Sequence, residues 1–198
     1  MTEKERMVKG LLYIASDDSI QSISKENRKL IDAFNKADAD ERMDYIRKAF
    51  AHTGKNAYIE PPFYCDHGWN ISVGDNFYAN TDVIILDQCP VNIGDNVMLA
   101  PRVSIFCACH PIDAEIRNKL YEIGKPVTIG NDVWIGGNTV INPGVTIGSN
   151  VVIGSGSVVT HDIPDNVVAV GNPCRVLREI TEKDHEYWLN RLNRERSE

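Results

Sequence analysis

VTIGNDVWIGGNTVINPGVTIGSNVVIGSGSVVTHDI, residues 127–163, repeats itself every six residues. Ile129, Ile135, Ile141, Ile147, Ile153 and Val159 are aliphatic, and each stands six after the last. The residues that follow them, Gly130, Gly136, Asn142, Gly148, Gly154 and Thr160, are mostly small or turn-prone. Four places after each aliphatic residue stand Val133, Thr139, Val145, Val151, Ser157 and Ile163, again small or β-branched. Upstream the same register runs through Val73, Ala79 and Ile85, slips by two, and resumes at Ile93, Leu99 and Ile105. A period of six fits neither a long helix nor ordinary hairpins. It fits a parallel β-helix, with one short strand and one corner per hexad and three hexads to a triangular coil. Successive coils then stack about 4.8 Å apart through backbone hydrogen bonds. The aliphatic residue and the small one four places later point inward. Glycine or asparagine takes the corner, where the backbone bends tightly or turns left-handed.

Outside the repeat the pattern changes. Residues 1 to about 60 read as helical. Met7, Val8, Leu11 and Leu12 make a short apolar stripe, and Ile20, Ile23, Leu30, Ile31 and Phe34 recur at helical spacing after the cap candidates Asp17, Asp18 and Ser19. DADERMDYIRKAF places Asp38 and Glu41 in capping-box relation, then sets Met43, Ile46, Ala49 and Phe50 on one side. Gly54 is the expected stop. A bare sheet end invites pairing with other chains. The helical start and the tail TEKDHEYWLNRLNRER are the candidates to cover the two ends. The expected organisation is a helical segment over 1–60, a mainly β domain over 61–176 with an external loop at 107–126, and a helical tail over 177–198.

Composition narrows the function. The 198 residues are 42% hydrophobic and 25% charged, ordinary values for a soluble globular domain. A formal charge of −7 leaves no broad basic field for nucleic acid. MTEKERMVKG lacks an apolar signal core and no run is long enough to span a membrane, so a cytoplasmic protein is expected. Five cysteines at irregular spacing do not form a disulfide framework.

FCACHPIDAE, residues 106–115, brings Cys107, Cys109 and His110 together and raises a choice between metal ligands and a positioned general base. Counting from Ile105, Cys109 takes the inward small position, as Cys89 does in its own hexad, and His110 points outward. Adjacent strand residues face opposite ways and do not readily share a metal. Cys109 and Cys89 therefore read as core filler, and His110 as a base at the root of HPIDAEIRNKLYEIGKPV, a polar excursion bracketed by Pro111 and Pro126.

The strings EPPFYCDHGWNISVGDNFYAN (60–80), VIILD (83–87), HPID (110–113), KPVTIGNDVWIGGNTVINPGVTIG (125–148), GSGSVVTHDIP (154–164) and GNPCRVLREI (171–180) resemble the maltose and galactoside O-acetyltransferases of the hexapeptide-repeat acyltransferase superfamily. EKERMVKGLLY (3–13) resembles the N-terminal segment of the maltose type. The resemblance covers nearly the whole chain. It implies a left-handed hand for the β-helix, which spacing alone does not reveal. It implies a homotrimer with active sites between subunits, and direct transfer of acetyl from acetyl-CoA to a sugar hydroxyl without a metal.

The matched residues each acquire a role. His110 matches the base, since a neutral imidazole takes a proton as a hydroxyl attacks a thioester. Asn80 matches a residue beside the acceptor and the reacting carbonyl, placed to steady an oxyanion. Asp66 and Asp87 match acceptor-facing positions, although Asp87 reads equally well as a corner residue. Trp134, Gly137 and Ser155 match the pantetheine groove. Thr160, His161, Arg175 and Arg178 match the phosphate and adenine end, where two arginines three apart supply a local positive patch. An ordinary solvated charge pair is the alternative reading of those arginines.

The chain departs from the family pattern at three places. Cys109 stands where relatives carry Gly before His-Pro, and His161 where many carry Lys. Ile14 and Ala15 stand near an early Asp of galactoside members. Asp66 resembles the CDYG form of the maltose type, which favours glucose or maltose over a galactoside. Three alternatives stand beside this reading. A zinc hydratase on the same scaffold needs converging histidines, and His52, His67, His110, His161 and His185 include no closely spaced pair on the coils. A non-catalytic assembly platform leaves His110, Asn80 and the arginine pair without a reason to coincide. A third keeps the chemistry and changes the acceptor to an antibiotic, a serine or a Nod-type oligosaccharide.

Overall fold

The computed structural model describes residues 1–196, and the last two positions of the expected tail lie outside them. The chain is a left-handed parallel β-helix of about six turns. Its three faces are parallel sheets, two of five strands and one of seven whose last strand alone runs antiparallel. The inward residues stack in register as the hexads require. Val73, Ile93, Ile129 and Ile147 follow one another up the first face. Ala79, Leu99, Ile135, Ile153 and Ala169 do so up the second, and Ile85, Ile105, Ile141 and Val159 up the third. Nearly all are fully buried, and they form one continuous core.

The corners use asparagine and glycine as expected, and Gly144 and Gly156 take the left-handed backbone in the same register as the asparagines. The left-handed backbone falls on Asn56, Asn76, Asn96, Asp132, Asn138 and Asn150, not on the glycines one place after each aliphatic residue. Asparagine tolerates that conformation because its side chain bonds locally. Here the amides also bond from coil to coil, Asn76 Nδ2 donating to Asn96 Oδ1 at 2.8 Å and Asn96 Nδ2 to Asp132 Oδ1 at 2.9 Å. Gly94 is small for another reason. A Cβ there would stand 2.3 Å from Asn131 Oδ1 and 2.8 Å from the Gly130 carbonyl of the next coil.

Three helices precede the coils: α1 (Glu3–Val8), α2 (Asp18–Lys36) and α3 (Arg42–Ala49). Asp17 caps α2 by accepting the Ser19 N–H. The capping box expected at Asp38 and Glu41 does not form, because Glu41 is itself the cap residue and makes no side-chain bond. Phe34 and Phe50 meet Phe63 edge-on, so α2 and α3 close one end of the coil with aromatic rings. The first coil strand is His52–Thr53, paired with Ser72 and Val73, so the β domain starts before residue 61 and Gly54 is a corner rather than a helix stop.

The excursion is an arm rather than a bare loop. Strands Ala108–Cys109 and Tyr121–Gly124 pair antiparallel and flank the short helix α4 (Ala114–Arg117). Tyr121 and Glu122 also pair with Tyr13–Ile14, which ties the arm to the N-terminal segment. Cys109 therefore leaves the coil: it is half-buried on the arm, and Cys107 is the residue that fills the core. Cys89 is buried as expected, with its thiol against the Met7 carbonyl. The expected helical tail begins with an antiparallel strand, Arg175–Glu179 on Val167–Val170, before α5 (Glu182–Glu195). In the single chain α5 buries no residue, so it covers no sheet end.

Candidate active site

The chain leaves the coil at Cys107 and returns at Lys125, whose N–H donates to the Cys107 carbonyl. His110 follows the last paired residue of the outgoing strand and is exposed. It lines a cavity of about 270 Å³ with Arg117, Leu120 and Glu122. Glu122 also belongs to the wall of a second cavity, of about 170 Å³, where Asp66, His67, Gln88 and Arg28 face the start of the chain. The two cavities thus adjoin at one glutamate. Tyr13 fixes that glutamate by donating its hydroxyl to Oε2 at 2.7 Å. Burial and the Glu122 carboxylate push the Tyr13 phenol far up, so it stays a donor.

Asp66 is half-buried and accepts from Gln88 Nε2. Asp87 sits elsewhere than its sequence position suggested. It is fully buried, and its carboxylate accepts the backbone N–H groups of His67, at 2.9 Å, and Asn70, at 3.3 Å. Asp87 thereby holds the 66–70 turn in place, while its neighbour Gln88 faces the cavity. Strand alternation applied at Ile85, Asp87 and Cys89 would have put Asp87 on the inner side and Gln88 on the outer. His67 and Glu122 carried no such signal, because they reach the cavity through the turn and the arm.

Asn80 directly follows the strand Tyr78–Ala79 of the seven-stranded face and is half-buried. Its Oδ1 accepts the Thr81 N–H at 2.8 Å, which leaves the amide nitrogen free to donate. On the same face, Trp134 is 49% exposed between Met98 and Val152 in the ladder. Gly137 and Ser155 lie at the corner that follows, where the Gly137 carbonyl accepts from Gly156 N–H. Thr160 Oγ1 and His161 Nδ1 are 2.8 Å apart. His161 and Arg175 share a cleft of about 290 Å³. Arg178 is separate from that cleft: its guanidinium holds Asp184 of α5 by two bonds, at 2.8 and 2.9 Å. The structure thus brings His161 and Arg175 together and gives Arg178 a carboxylate partner. Among the described residues no group of three or more His, Cys, Asp or Glu side chains is arranged to hold a metal ion.

Fold and site together define a hexapeptide-repeat transferase with a helical cap. The family description "Bacterial transferase hexapeptide (six repeats)" matches residues 126–161, and "Maltose acetyltransferase hexapeptide capping motif" matches residues 6–54. The galactoside O-acetyltransferase of Escherichia coli K12 is 44% identical over 192 residues, which cover 96% of this chain and 95% of that protein. The crystal structure of a maltose O-acetyltransferase from Clostridium difficile 630 is 54% identical, with a TM-score of 0.90 over 91% of this chain and 98% of the other. A galactoside acetyltransferase in complex with coenzyme A is 45% identical, with a TM-score of 0.90 over 93% and 94%. The chain belongs to the maltose and galactoside O-acetyltransferase family.

Proposed function

We propose that the protein transfers acetyl from acetyl-CoA to a sugar hydroxyl, with His110 as general base. The observation that carries this is the shared wall at Glu122, which sets an exposed imidazole beside a cavity lined by polar side chains of sugar-binding type. The sugar sits against Asp66 and Gln88, with a hydroxyl turned toward His110. His110 takes that proton as the oxygen attacks the thioester carbonyl. The negative charge that gathers on the carbonyl oxygen is met by the Asn80 amide nitrogen. The carbon–sulfur bond then breaks, and the proton passes from His110 to the departing thiolate. Asp87 acts on this site by positioning the turn that carries Asp66.

Trp134, Gly137 and Ser155 line the pantetheine path, and Thr160, His161 and Arg175 receive the phosphates. Arg178 serves that end once removed, by fixing α5. The base and this groove belong to different coils, and the reading takes neighbouring subunits of a trimer to bring them together. Asp66 offers two acceptor oxygens, where a serine would offer a single hydroxyl, and this favours glucose or maltose over a galactoside.

The test is acetyl-CoA consumption against glucose, maltose, galactosides, serine and chloramphenicol. A sugar is expected to give the highest kcat/KM, and His110→Ala to lower turnover about 100-fold or more while acetyl-CoA still binds. Consumption with serine or chloramphenicol alone, or near-normal turnover in the variant, refutes the proposal.

A further inference from the structure

Two side chains that line the Asp66 cavity carry hydrogen-bond acceptors that no donor among the described residues fills. The first is on Gln88, which is only 7% exposed. The Gln88 amide donates its nitrogen to Asp66, which turns its oxygen away. That oxygen is buried and has no partner among the described residues. Buried polar atoms are almost always paired, so an orphan on a side chain that lines the cavity marks the place of an absent donor.

The second acceptor is on His67, which is 5% exposed. Ser24 Oγ donates to the Ile20 carbonyl at 2.9 Å, the back-bond of a serine inside a helix. With its one proton used there, we read the 2.7 Å contact with His67 Nδ1 as a donation from the ring. Nε2 is then the unprotonated nitrogen, and it has no protein partner among the described residues. Burial agrees, since it lowers the imidazole to about 4 and keeps the ring neutral. Trp69 packs on the same ring with centroids 5.2 Å apart and steadies its plane.

We infer that His67 Nε2 and Gln88 Oε1 read hydroxyl groups of the acceptor that do not react, accepting a hydrogen bond from each and so setting which sugar is used. Ser24 is a positioning residue that acts through the His67 tautomer. This inference rests on the sugar-acetylating reading above. A sugar that lacks the matching hydroxyl leaves the acceptor unpaired, which costs about ten-fold in kcat/KM or more.

The experiment measures kcat/KM for the sugar that the wild type uses best and for its monodeoxy analogues, one ring hydroxyl removed at a time. The wild type should discriminate against at least one analogue about ten-fold. His67→Phe keeps a ring on Trp69 but has no lone pair, and that discrimination should fall to about two-fold or less with the acetyl-CoA KM unchanged. His67→Gln, whose amide oxygen stands near the former Nε2, should restore it. Ser24→Ala is nearly isosteric, frees the tautomer, and should weaken discrimination even if the phenylalanine variant fails to fold. Equal discrimination in wild type and folded variants overturns the inference and leaves the sugar reading intact. No discrimination in a wild type that does acetylate sugar overturns it as well. A wild type that acetylates no sugar overturns the sugar reading, and this inference falls with it.

Discussion

Asp87→Asn removes a titratable carboxyl group that the fold keeps in its interior. Burial raises the Asp87 carboxyl from 3.8 to about 7, with nearby Asp66 adding to the rise and the His67 and Asn70 N–H groups opposing it. A folded pKa above the unfolded one means that the folded chain holds its proton more tightly. The resulting stabilisation is complete below 3.8 and is lost as pH rises through about 7. Each pH unit across that window corresponds to about 1.36 kcal/mol, so the whole effect is about 4 kcal/mol, of which roughly 3 falls between pH 5 and pH 8. Asparagine does not titrate and carries no such penalty. It does lose one backbone bond, because its NH₂ group faces an N–H, at a pH-independent cost of about 1 kcal/mol. Urea unfolding at fixed protein concentration, at pH 5 and at pH 8, gives the stability of variant minus wild type at each pH. That difference should move in favour of the variant by roughly 3 kcal/mol between the two. A difference that stays constant, or that moves toward the wild type, refutes the reasoning. It would mean that the two N–H groups outweigh burial and that Asp87 is ionised in the fold.

Three further outcomes are expected. Arg175→Ala should raise the acetyl-CoA KM several-fold and leave the sugar KM nearly unchanged, because a lost phosphate contact is mostly uniform binding; equal effects on both substrates would count against it. Light scattering should report three copies of the 22.2 kDa chain, about 67 kDa, since Tyr187, Trp188, Leu189 and Leu192 of α5 are exposed in the single chain; an active monomer would refute this. Gly124→Ala puts a Cβ 2.5 Å from Cys89 Sγ and should destabilise the arm by about 1–3 kcal/mol, and Cys89→Ala in the same chain should recover most of the lost thermal stability; no recovery would show that the clash lies elsewhere.

The coil was legible because one physical demand recurs in it. Every hexad must put an aliphatic group inside, so Ile129 to Val159 announce the stacking that Ile93, Leu99 and Ile105 continue one coil below. The corners were half-legible. Asparagine and glycine were both expected there, but only the structure separates the left-handed corner residues, such as Asn138, Gly144 and Asn150, from glycines squeezed by the next coil, as at Gly94. The arm was legible as an excursion and not as a hairpin. Its pairing to Tyr13–Ile14 joins residues 109 positions apart, and neither partner strand shows a pattern of its own.

The candidate site followed the same division, for a reason tied to how such a fold builds pockets. A regular solenoid presents a similar outer surface at every coil, so a cavity that gathers side chains of different kinds forms most readily where the repeat is broken. Two breaks meet here: the two-residue slip after Ile85, where Asp87, Gln88 and Cys89 lie, and the arm after Cys107. Gly124 lets the arm pass directly over Cys89, and Gly10 brings the N-terminal segment against the Gly124 carbonyl. These small residues set Glu122 between the His110 cavity and the Asp66 cavity. Periodicity registers such breaks only as lapses in a pattern, which is why His110 could be placed at a root while Gln88, His67 and Glu122 went unread. The core therefore tolerates hydrophobic exchange at many coils, whereas the site depends on a few contacts among segments far apart in the chain.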